Sequence, residues 1–214
     1  NKIEFNDLNF YFNNTLLSSQ KINVKHYKEK FSIDGVIQNN NLKLNNNLFV
    51  DVLKNYFPRL DFIDLNLNSK NKFSFRVDKK FKIDQLNLSS EINILQLKLR
   101  NNMKLKNFFP NIQNEIDLND HLIYLDYSKE NLSIKGKGKI LLQKKEDQVK
   151  YTFLKKKKNI DFETNFIIGK NPVRIDYLTY KKDIGAKAEI KLNGSYNPKK
   201  KIIIKSFFYT EQKN

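Results

Sequence analysis

The sequence predicts a mainly β fold: an elongated, open antiparallel sheet with one or two short helices. Three observations predict it. First, residues 184–194 (IGAKAEIKLNG) alternate without a break. Ile184, Ala186, Ala188, Ile190 and Leu192 fall on one face of an extended strand, and Lys187, Glu189 and Lys191 on the other. Second, residues 132–142 (LSIKGKGKILL) repeat the design. Leu132, Ile134, Gly136, Gly138 and Ile140 oppose Ser133, Lys135, Lys137 and Lys139. Third, shorter alternating runs recur along most of the chain, separated by clusters of Asn, Asp, Gly and Lys that read as turns.

In chain order, residues 1–12 alternate through Ile3 and Phe5 and again through Leu8, Phe10 and Phe12. The parity slips at Asn6-Asp7, which reads as a bulge or tight turn. Residues 21–27 and 30–37 give two strands, and 42–44 a third. Residues 46–58 (NNLFVDVLKNYFP) break the period of two. Leu48, Val52 and Tyr56 stand at i, i+4 and i+8, Asn46 or Asn47 can cap the start, and Pro58 ends the run, so a short helix is expected. Strand signals return at 62–67, 72–77, 81–88 and 92–99, with Phe73 and Phe75 in one row. Residues 103–112 form a second candidate helical turn around Leu105, Phe108, Phe109 and Ile112. Further strands are expected at 115–118, 122–126, 132–142, 148–153, 160–168, 173–180, 184–196 and 201–209.

The chain also repeats itself. LKLNNN at 42–47 matches LKLRNN at 97–102, LKNYFP at 53–58 matches LKNFFP at 105–110, and IDLN at 63–66 recurs at 116–119. Three matches in the same order indicate an internal duplication, covering about 42–66 and 97–119. Repeats of this period suit propellers and solenoids. The absence of Trp and of paired glycines speaks against a kelch-type propeller.

Composition narrows the function. With 214 residues the chain is long enough for a sizeable core. The formal charge is +17, from 40 Lys+Arg against 23 Asp+Glu. Such a charge suits an anionic partner, or simply solubilises exposed strand faces and guards edges. Without Cys there is no disulfide or thiolate metal site. No apolar run reaches the roughly 18–20 residues of a membrane helix. The chain reads as a segment of a longer protein, with any anchor outside it.

Catalytic chemistry is not visible. His26 and His121 stand far apart and outside any HExxH spacing, and read as surface strand residues. No P-loop or GxGxxG is present; Gly136-Lys137-Gly138 is a strand feature. The chain is therefore expected to be no enzyme, to need no cofactor and to hold no metal. Nucleic acid is not an expected partner either. In alternating strands such as 72–76 (KFSFR), Phe and Lys point to opposite faces and cannot stack on and neutralise one ligand strand. A transmembrane barrel lacks its aromatic girdles here.

The strand–helix–strand unit ending in Tyr56-Phe57-Pro58 and in Phe108-Phe109-Pro110, with the later stretches 136–140, 161–168, 173–180 and 186–195, resembles the AsmA-like bacterial envelope proteins. Within that group it is most similar to the repeating β regions of the TamB and YhdP type. The resemblance implies a curled sheet with a hydrophobic groove (a β-taco). It implies a periplasmic section of an inner-membrane-anchored protein of a Gram-negative bacterium, conducting phospholipid acyl chains toward the outer membrane. Both membranes would be reached through regions outside this chain. The groove candidates are Phe73, Phe75, Leu132, Ile134, Gly136, Gly138, Ile140, Phe162, Phe166, Ile168, Ile184, Ala186, Ala188, Ile190 and Leu192. The small residues among them would leave room for an acyl chain, or else allow tight packing. Lysines at the groove edges would meet phosphate headgroups. The alternative is a structural or adaptor β-solenoid of the envelope with a closed core.

Overall fold

The computed structural model describes residues 2–12, 14–45, 61–101, 105–129, 131–157, 159–183, 185–197 and 202–212. The helix expected at 46–58 lies outside these residues, as does Ile184. Eleven strands form one antiparallel sheet: β1 (Lys2–Phe12), β2 (Thr15–Tyr27), β3 (Lys30–Asn45), β4 (Asp61–Asp78), β5 (Ile83–Arg100), β6 (Glu115–Ser128), β7 (Asn131–Leu141), β8 (Asp147–Lys156), β9 (Asn159–Ile168), β12 (Lys187–Tyr196) and β13 (Ile203–Gln212). Between β9 and β12 lie β10 (Arg174–Ile175), a 3-10 turn (Asp176–Leu178) and β11 (Tyr180–Lys181), which pair only with each other.

The sheet order follows the chain from β1 to β13, so the sheet is open, with β1 and β13 as its edges. Every substantial contact between described elements is between sheet neighbours, or between β10 and β11. The fold is a single layer. The chain exposes 15161 Å². A compact monomer of its 25.5 kDa mass would expose about 10,400 Å².

Strands run longer than the apolar alternation indicates. The expected breaks at 38–41, 68–71 and 89–91 are continuous strand within β3, β4 and β5. Polar residues there stay in the ladder because their side chains bond across it. Asn39 Nδ2 donates to the Leu67 carbonyl at 3.0 Å, Ser69 Oγ to Asn39 Oδ1, and Asn71 Nδ2 to Ser69 Oγ at 2.8 Å. At Asn6-Asp7 the parity slips without a shift of register: Asp7, with φ 52°, falls between the pairs Asn6–Lys21 and Leu8–Ser19, and each strand passes over one residue there.

Two expectations need correction. Residues 173–180 are not one strand but β10, the 3-10 turn and β11. The long strand at 184–196 begins only at Lys187, because Gly185 turns the chain (φ +84°) and the Ala186 N–H closes that turn on the Asp183 carbonyl. The candidate helix at 103–112 is one turn, in which the Phe109 N–H bonds the Leu105 carbonyl at 2.8 Å.

The two ends of the sheet differ. One end carries the short turns at 28–29, 79–82, 129–130 and 157–158. The other carries the long connections 46–60, 101–114, 142–146 and 169–186. Both copies of the internal repeat flank connections of the second kind. Their leucines meet in one row across four strands, Leu44–Leu65–Leu97–Leu118. Leu65, Ile94 and Leu97 are the buried centre of this cluster.

Candidate functional site

Residues directly opposite each other in an antiparallel sheet share a face. Following the register therefore separates two faces. One is apolar, with the cross-strand rows Leu125–Ile134–Phe153–Phe162 and Phe73–Leu88–Tyr127–Leu132. The other is polar, as in Ser74–Asn87–Ser128–Asn131–Lys156.

The predicted groove residues divide by position. Toward the short-turn end, Phe73, Phe75, Leu132, Ile134 and Phe162 lie on the apolar face and are half-buried. Ile140, Phe166, Ile190 and Leu192 are also half-buried, nearer the other end. At the long-connection end the face is capped. Ile168 and Ala188 have no exposure, beneath Val173 and Phe109, whose ring meets that of Phe166 edge-on at 5.9 Å. Ala186 is buried as well. Ile168 and Ala188 are closed core, not groove, because Phe109 and Val173 from the connections 101–114 and 169–186 pack on them, and Ala186, within the second connection, is buried rather than open.

The glycines leave no vacant space either. A Cβ on Gly136 would strike the Tyr151 ring, and one on Gly138 would strike His121. The glycines admit rings from neighbouring strands of the same sheet. That matches the packing reading of these residues, not the acyl-space one.

His121 is a residue that the sequence reading misplaced. It is buried, its ring lies 6.1 Å from that of Tyr151, and neither imidazole nitrogen has a hydrogen-bond partner. Ile94 on β5 stands opposite it, and the Asp120–Lys139 ion pair lies beside it at the surface. Burial lowers its pKa from the ordinary 6.5; main chain at Asn119 and Lys139 opposes this in part without a bond of good geometry. The unfolded chain therefore binds the proton more readily. Stability contributed by neutral His121 is present above pH 6.5 and is lost as pH falls below it. We expect urea melts from about pH 7.5 to 5.5 to show a falling midpoint in the wild type, by up to about 1.4 kcal/mol per pH unit, and a flatter profile in His121→Phe. Equal pH slopes in the two proteins would refute this assignment.

A concavity of about 790 Å³ lies on the polar face, lined from Asn23 on β2 to Lys156 on β8. Flat, those seven strands would span about 29 Å. The sheet curls toward this face there, where the short side chains of Asp34, Ser74, Ser128 and Asn131 permit it. On the apolar face a second recess, about 660 Å³, opens at the short-turn end. It is lined by Tyr127, Leu132, Lys155, Asn159, Asn197 and the turn residues Lys129 and Lys157.

Among the described residues no cluster of His, Cys, Asp or Glu could hold a metal, and no helix is long and apolar enough to cross a membrane. Fold and faces together define the chain as a single-layer, open antiparallel sheet with one apolar and one polar face. No family model, curated protein or solved structure matches it.

Proposed function

We propose that this chain is a non-enzymatic section of a lipid-transfer bridge, holding phospholipid acyl chains against its apolar face. In this reading it belongs to the periplasmic part of an inner-membrane-anchored protein in a Gram-negative envelope. The observation that carries the reading is the uncovered apolar face. The rows around Ile134 and Phe153 meet no second layer among the described residues, and the exposed surface exceeds that of a compact monomer by nearly half. Exposed apolar strips of this extent mark binding surfaces.

The magnitudes suit a sliding ligand. Full burial is worth about 0.8 kcal/mol per CH₂, so a chain of about 16 carbons lying half-buried on an open face gains about 6 kcal/mol before association costs. That retains a lipid without trapping it. The closed structural solenoid draws its support from the capped cluster around Ile168, Val173 and Ala188.

Native mass spectrometry of the purified protein, followed by lipid extraction, separates the two. We expect co-purifying phospholipid in the wild type and its loss in Ile134→Asn/Phe153→Ser. A lipid-free, stably folded wild type would overturn the lipid reading in favour of the solenoid.

A further inference from the structure

Among the described strand residues, a cation interrupts the apolar face on β8. Val149, Tyr151 and Phe153 continue the alternation along β8, but the next position on that face is Lys155. It stands opposite Leu132 on one side and Ile160 on the other. Lys129 and Lys157, in the adjoining turns, line the same recess as Lys155, Tyr127 and Leu132. Among the described residues none of these three lysines makes an ion pair. Three like charges thus line an apolar-walled recess at the open end of the face, and among the described residues no carboxylate lines it with them. Their mutual repulsion opposes folding, and an anion supplied from outside would relieve it.

We propose that this recess binds the anionic headgroup of an amphiphile, a phosphate-bearing one, whose acyl chain lies along Leu132 and Ile134. The proposal rests on the acyl-binding reading and adds to it a place for the headgroup and a direction: headgroup at the short-turn end, chain pointing toward the capped end. Charge complementarity selects this occupant. Lys155 supplies the charge from within the apolar row, so the ligand must carry its anion directly beside its hydrocarbon. A soluble anion would need only Lys129 and Lys157, and would leave Tyr127 and Leu132 uncovered.

Isothermal titration calorimetry with monomeric dodecyl phosphate, neutral dodecyl maltoside and inorganic phosphate tests it. We expect the wild type to bind dodecyl phosphate about tenfold to a hundredfold tighter than dodecyl maltoside, the range for charge-assisted hydrogen bonds. In Lys155→Leu/Lys157→Gln that preference should vanish while dodecyl maltoside still binds, which also shows the variant folded. Lys155→Arg should keep the preference. Equal binding of the two amphiphiles by the wild type overturns the headgroup site and leaves the acyl reading standing. Inorganic phosphate binding as tightly as dodecyl phosphate overturns it too, in favour of a free-anion site. If neither amphiphile binds, the acyl reading itself falls, and this inference with it.

Discussion

Substituting alanine for Gly138 is expected to lower the melting temperature by roughly 6–12 °C. The added Cβ would stand 2.7 Å from the His121 Cα and closer still to its ring, on a strand that pairs β7 on both sides of this point and pairs β5 at His121 itself. A flexible side chain can swing away from such a contact, but a backbone carbon inside a ladder cannot. Overpacking of this kind costs about 3 kcal/mol, and each kcal/mol shifts the melting point of a chain this size by about 2–4 °C. Gly169→Ala is the control. Its Cβ would meet nothing within 4 Å, so a change of no more than about 0.5 kcal/mol is expected. His121→Ala in the Gly138→Ala background should restore part of the loss, since it removes the ring contact but not the one to Cα. Equal melting points for Gly138→Ala and Gly169→Ala would show that His121 does not sit over Gly138.

This geometry explains which parts of the structure were legible in the sequence. Alternation identified the strands and the apolar face because both follow from the two-residue period of an extended backbone. It failed where polar residues occupy the apolar face. Asn39, Ser69, Asn71 and Ser90 sit there and read as breaks, although β3, β4 and β5 are continuous, with side-chain hydrogen bonds of Asn39, Ser69 and Asn71 tying β3 to β4. The bulges have a sequence signal of their own. Apolar parity switches at Asp7, and it switches again between Ile37 and Leu42 and between Leu118 and His121. At those places Asn41 and Asp120 take left-handed φ of 57° and 50°. Asn and Asp tolerate that conformation, so a parity switch at either residue marks a mid-strand bulge. The second bulge is what turns His121 onto the apolar face.

The candidate site was legible in outline and wrong in its centre of gravity. The open strip around Ile134 and Phe162 was placed on the correct face. Ala186 and Ala188 were placed on it too, but what covers them comes from connections with no period to read. The run 155–159 reads as a turn after a strand ending at Phe153, whereas β8 continues through Lys155 and the register puts it on the apolar face.

The capped end stands on a buried polar network, and Asn171→Leu is expected to remove about 3 kcal/mol of stability from it. Asn171 is almost wholly buried. Its Oδ1 accepts the Lys145 N–H at 3.1 Å, and its Nδ2 donates to the Lys145 carbonyl at 2.6 Å and to Asp147 Oδ2 at 2.7 Å. Asp147 also accepts the Gly169 N–H at 3.0 Å, and buried Lys182 donates to the carbonyls of Gly169 and Ala186. Leucine would leave both Lys145 main-chain groups and one carboxylate oxygen unpaired in the interior. The loss should depend on pH. Burial raises the Asp147 pKa above its ordinary 3.8, while the bond from Asn171 lowers it. A raised carboxyl pKa means that the folded state binds the proton more readily than the unfolded one, so the penalty grows as pH rises above 3.8. Without Asn171 the pKa climbs further, and the cost of the variant should be smaller at about pH 5 than at pH 7. A loss under about 1 kcal/mol, equal at both pH values, would show that the network does not hold the cap. Hydrogen exchange supplies the link to function. In a single layer whose main contacts are between sheet neighbours, the damage should stay local. Amides of β9 and β12 should exchange faster while those of β3 and β4 keep their protection, and on the proposed lipid-transfer reading phospholipid should still be recovered with the variant.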